Sequence, residues 1–89
     1  MKNLTWTHSI RNKNQSCFTE TNLYKINIFQ MINFTKHYIK NKYIIHFSKK
    51  RIVKNTTVHD KLFEIEFNGT ISQAKKQAII ELNKLEQIK

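Results

Sequence analysis

Proline is absent from this 89-residue chain, and glycine (Gly69) and cysteine (Cys17) occur once each. A single glycine leaves no room for a glycine-rich phosphate loop. A single cysteine leaves no intrachain disulfide, which makes a reducing intracellular compartment (cytoplasm or organelle matrix) the simpler expectation. No apolar run approaches the roughly 18–20 residues of a membrane span, so no membrane insertion is expected. The four histidines and Cys17 (His8, His37, His46, His59) show no paired ligand spacing of the zinc-binding kind, so neither a metal nor another cofactor is expected. A chain this short buries only roughly 60–65% of its unfolded surface. That suits a binding surface better than an embedded catalytic pocket, and Glu64 and Glu66 read as solvent-facing strand residues rather than an acid–base pair. No enzyme and no small-molecule substrate are expected.

The remaining scarcity is of acids. Residues 1–59 hold eleven Lys or Arg against one acid, Glu20, whereas five lysines balance five acids in 60–89. All of the formal charge of +10 therefore lies in the first two thirds. Fourteen Lys, thirteen Ile and ten Asn with two Arg is also what AT-rich coding produces. Such a bias accounts for the lysines but not for missing acids, so the asymmetry reads as an electrostatic footprint for a polyanion, nucleic acid first.

Hydrophobic spacing divides the chain. Ile71, Ala74, Ala78, Leu82 and Leu85 recur at three and four residues, with Ile79 and Ile88 widening the stripe, and predict a helix over 71–87. Thr70 and Gln73 form a capping-box pattern at its start, with Gly69 at the sharp turn before it. Phe63, Ile65 and Phe67 alternate with Glu64 and Glu66, a strand over 61–68 with one buried face. Residues 43–47 and 51–53 are β-prone, as two short strands or one long bent one, and 55–57 is a polar connector. Ile28, Ile32, Thr35 and Ile39 follow helical spacing, predicting a helix over 24–41. Leu4, Trp6, His8 and Ile10 alternate, so residues 1–23 are either an N-terminal extension or an extra strand, with Trp6 anchoring it. The lack of acid in the first nineteen residues is also faintly like an organellar targeting segment. Residues 24–89 then form one α+β domain, α-β-β-β-α: a small three-stranded antiparallel sheet packed against two helices.

This order resembles the double-stranded-RNA-binding domain. His59, four residues before Phe63 and the alternating strand that follows, is similar to that family's loop histidine. Thr70-Ile-Ser-Gln-Ala74-Lys75 is similar to the lysine-rich signature opening its last helix, with Ile71 and Ser72 standing where the family has a lysine pair. The resemblance implies that His59 approaches a minor groove and that Lys75, with Lys76 compensating, holds phosphates. Ribosome-hibernation factors, with an extra first strand, share the topology.

The cationic residues group accordingly. Lys49, Lys50 and Arg51, followed by Lys54, are read as a strand turn whose cations reach phosphates without reading sequence. Lys36 and Lys40 form a ridge on the predicted first helix. Aromatics interleaved with lysines, Tyr38 and Tyr43 above all, are candidate stacking residues, with a role in the core as the plainer alternative. The expected function is non-enzymatic binding of structured or double-stranded RNA within a ribonucleoprotein. The expected site is Lys36, Lys40, Lys49, Lys50, Arg51, Lys54, His59, Lys75 and Lys76. The alternatives are a structural subunit that docks on other proteins, to which Ile71 would add apolar surface, and a small viral-type inhibitor.

Overall fold

A computed structural model describes residues 4–8 and 16–87. The chain runs through five strands into one helix: β1 (Thr7–His8), β2 (Ser16–Glu20), β3 (Tyr24–Ile32), β4 (Tyr38–Val53), β5 (Thr56–Asn68) and α1 (Ile71–Gln87). Each strand pairs antiparallel with the next, giving one five-stranded meander in the order β1-β2-β3-β4-β5. The helix lies across one face, over β3 and β4.

The three-stranded sheet with two helices is therefore overturned, and the error lies in residues 24–41. Ile28 and Ile32 fit a period of four and a period of two equally well. Ile26 decides between them. Tyr24, Ile26 and Ile28 are all buried while Lys25 and Asn27 are half-buried, the alternation of a strand. Ile26 pairs with Phe47 and Ile28 with Ile45, so a partner strand supplied by the fold chose the shorter period. The chain then turns at Asn33, whose side-chain oxygen accepts from the N–H groups of Thr35 and His37, both at 3.0 Å.

Residues 38–53 form one long strand, the second of the two expected alternatives, so Ser48-Lys49-Lys50 is mid-strand and not a turn. The turn falls at Lys54-Asn55, both with positive φ (49° and 65°), as a two-residue hairpin loop requires. Thr56 and Thr57, expected in a connector, open β5. Of the expected N-terminal strand, Thr7 and His8 pair with β2, whereas Ile10 lies outside the described residues.

Tyr43, Ile45 and Phe47 of β4 line up with Phe67, Ile65 and Phe63 of β5 on the helix-covered face. Phe47 and Phe63 stack with centroids 4.6 Å apart. Ala74, Ala78 and Leu82 of α1 meet this face fully buried, and the small alanines let the helix lie close. Leu4, Trp6, Ile71 and Leu85 pack around the margin. Ile71 is thus a core contact rather than free apolar surface.

The expected helix start holds. Gln73 N–H donates to Thr70 Oγ1 (3.3 Å) while Thr70 N–H donates to Gln73 Oε1 (3.0 Å), the reciprocal capping box. Gly69 has φ +146°, and a Cβ there would stand 2.5 Å from Gln73 Oε1 and 2.9 Å from Phe67 Cε2. Among the described residues no helix is long and apolar enough to cross a membrane.

Candidate nucleic-acid interface

Which lysines are free to meet a ligand depends on where the six acids sit. Glu20 takes Lys50 at 2.6 Å and Lys25 at 4.0 Å. Asp60 takes Arg51, Glu64 takes Lys61 at 3.1 Å with His46 at 4.0 Å, and Glu81 takes Lys84 at 3.3 Å. Lys50 also donates to the Thr21 carbonyl at 2.9 Å, tying the β2–β3 turn to β4. Lys75 is half-buried against N-terminal residues, its Nζ beside His8 Nε2 and 5.8 Å from the centre of the Trp6 ring.

Three of the expected phosphate contacts, Lys50, Arg51 and Lys75, are therefore engaged within the protein. His59 is not in a loop before a strand. It lies inside β5 opposite Lys50. With the helical first element gone as well, the expected α-β-β-β-α order is not that of this chain, and of the matched segments only 70–75 keeps its expected place, at the start of the last helix.

Lys36, Lys40, Lys49, Lys54 and Lys76 remain, and Lys42 joins them. All six are exposed and none forms an ion pair with a described residue. Lys42 was legible in the sequence as a lysine close to Lys36 and Lys40. Five of the six lie on the two long hairpins: Lys36, Lys40 and Lys42 at the β3–β4 end, Lys49 and Lys54 at the β4–β5 end. The nearest members of the two groups, Lys42 and Lys49, are about 23 Å apart along β4 at the usual strand rise. Between them the helix-free face carries Ile44, His46, Glu64 and Glu66, so the cations form two poles rather than one continuous face.

At the β3–β4 pole, Lys40 lines an open cleft of about 480 Å³ with Thr70, Ile71 and Ser72 at the helix start. The first turn of α1 contains no acid, so its N-terminal dipole end is not offset by a carboxylate from that turn. Phe34 projects from the hairpin tip, 97% exposed, with Tyr38 also exposed beside it. Tyr43, expected to be available for stacking, is only 5% exposed and belongs to the core. Exposed aromatic and cationic residues interleave at this tip.

Among the described residues three ionisable groups are displaced from their ordinary values. Glu20 is held low, chiefly by the hydrogen bond from Lys50 and then by the nearby positive charges. Burial pushes the Cys17 thiol up, partly offset by Lys75. Burial, followed by proximity to Cys17, raises the Tyr43 hydroxyl. None of the three pairs a nucleophile with a base. Among the described residues no three His, Cys, Asp or Glu side chains gather as metal ligands.

No protein-family model matches the chain, and neither a curated protein nor a solved structure matches it.

Proposed function

We propose that the protein binds structured nucleic acid, RNA first, through backbone phosphates and without catalysis. One observation carries the reading: among the described residues, the lysines left without an acid concentrate on two projecting hairpins, while Glu20, Asp60 and Glu64 hold cations within the sheet. Two poles separated by about 23 Å of strand suit a ligand with phosphates in two places. A folded or duplex nucleic acid meets that requirement and a mononucleotide does not. The burial of Tyr24, Tyr43 and Phe47 removes half of the lysine-interleaved aromatics that a single strand would stack on. Recognition then rests on shape and charge, with Phe34 and Tyr38 adding contact at one pole.

Fluorescence anisotropy on matched RNA duplex, DNA duplex and single-stranded RNA tests the proposal. Five phosphate contacts predict a slope of log affinity against log salt of about −4.5 on a duplex, a loss of about 500-fold between about 50 and about 200 mM salt. Preference for the RNA duplex at physiological salt supports the reading. Equal binding to all three that vanishes with salt removes it.

A second reading, docking on a protein, has its own observation. Ile52 (77% exposed) and Leu23 (54%) flank a surface cleft that also holds Lys50, Thr57 and His59. An exposed apolar pair of this kind favours a protein partner over a phosphate. A salt-insensitive partner complex that depends on Ile52 and Leu23 is its signature.

A further inference from the structure

We infer that the outer edge of β5 is a self-association surface, joining two copies into a continuous ten-stranded antiparallel sheet. The inference stands apart from nucleic-acid binding and uses different residues.

β5 is thirteen residues long, and no described strand pairs with its outer side. An edge of this length offers a row of main-chain donors and acceptors to any extended partner. Its apolar row is also incompletely covered. Phe63, Ile65 and Phe67 are only half-buried, whereas their β4 counterparts Phe47, Ile45 and Tyr43 are 0%, 0% and 5% exposed. A neighbouring strand on the outer side would close what β4 closes on the inner side.

Side-chain charge names the neighbour. The β4–β5 register passes from Phe47 opposite Phe63 directly to Ser48 opposite Lys61, so Leu62 is an extra residue, a bulge. The bulge reverses the alternation beyond it. His59 and Lys61 on one side, and Glu64 and Glu66 on the other, consequently all lie on the helix-free face. Lys61 and Glu64 already meet there at 3.1 Å, and His46 reaches Glu64 from β4 on the same face. Two cationic or basic residues are thus followed by two acids, symmetric about Phe63.

When a second copy is laid antiparallel along this edge with Phe63 at the twofold axis, Lys61 stands opposite Glu64 of the second copy and His59 opposite its Glu66. Val58 meets Phe67 on the helix-covered face. Lys61 thus meets an acid and the His59 imidazole meets a carboxylate to which it can donate a hydrogen bond, and the twofold repeats each pair. Glu66 strengthens the assignment, because it forms no ion pair with any described residue. The second copy supplies its missing partner. The twofold is perpendicular to the sheet, so both helices lie on one side and both helix-free faces on the other.

Sedimentation velocity of the full chain, freed of nucleic acid, from low to high micromolar concentration tests the assignment. The wild type should pass from monomer to dimer. Glu64→Lys/Glu66→Lys and His59→Glu/Lys61→Glu should each, alone, dimerise about tenfold or more less tightly because like charges then face each other. Their equimolar mixture should restore the dimer, since each supplies the other's complement. A wild type that stays monomeric throughout, a variant that dimerises like wild type, or a mixture that stays monomeric overturns the inference. Hydrogen exchange on the wild type needs no variant. Amide protection along β5 should rise with concentration, and protection independent of concentration refutes the pairing.

Discussion

Two variants that remove equal charge should behave differently if position, and not net charge, governs binding. Lys36→Ala/Lys40→Ala removes two unpaired lysines from the β3–β4 hairpin. Lys25→Ala/Lys84→Ala removes two paired ones, and the formal charge of +10 falls by two in each. In the second variant Glu20 keeps Lys50 at 2.6 Å, and Glu81 keeps Gln77 Nε2 at 3.1 Å, so neither acid is left without a partner. Losing these partly exposed pairs costs at most about 1 kcal/mol each. With five hairpin contacts reduced to three, the first variant's salt slope on a duplex should weaken from about −4.5 to about −2.7. Its affinity would then fall only about 40-fold between about 50 and about 200 mM salt, against about 500-fold for the wild type. The paired variant should keep the wild-type slope. Anisotropy titrations at four or five salt concentrations read both slopes directly. Equal slope changes in the two variants would refute the assignment of free and engaged lysines, leaving only generic attraction.

Three further outcomes follow from the fold. Gly69→Ala should destabilise the protein by about 2–4 kcal/mol in urea unfolding, since it combines a strained φ with loss of a cap. Gln73→Ala, which loses only the cap, should cost about 1 kcal/mol, and equal losses in the two would count against backbone strain. Glu20 has a folded-state pKa below its unfolded one. Its contribution is therefore complete above the ordinary glutamate value of about 4.3 and disappears as pH falls through the folded value. Acid titration of stability should show this loss in wild type, and the difference from Glu20→Gln should shrink towards low pH. Cys17, buried with its thiol pKa raised, should react with a disulfide reagent slowly in the native protein and quickly in denaturant; fast native labelling would contradict its placement.

Where local signals were enough, the sequence reading and the fold agree. The helix at 71–87 was legible because its period, its capping pair and the glycine before it all point the same way within a few residues. The strand at 61–68 was legible because Glu64 and Glu66 interrupt the apolar residues at a period of two. Residues 24–41 were not, since Ile28, Ile32 and Ile39 fit a helix while Ile26 fits only a strand. The partner that settled the matter, Phe47, lies twenty-one residues further on. The same holds for the site. Charge asymmetry and the cationic residues were visible in the chain, but pairing across strands was not. Lys50 meets Glu20 thirty residues away, and Lys75 meets His8 across 67.

By itself, then, the sequence determined the excess of positive charge, the C-terminal helix with its cap, and the absence of disulfide and glycine-loop chemistry. Those depend on composition or on neighbours a few positions apart. Only the tertiary structure decided that the chain is a five-stranded meander, which lysines remain free, and that a bulge at Leu62 makes the β5 edge complementary to itself. Each of these depends on register between strands, and register is set by which distant side chains share a buried face.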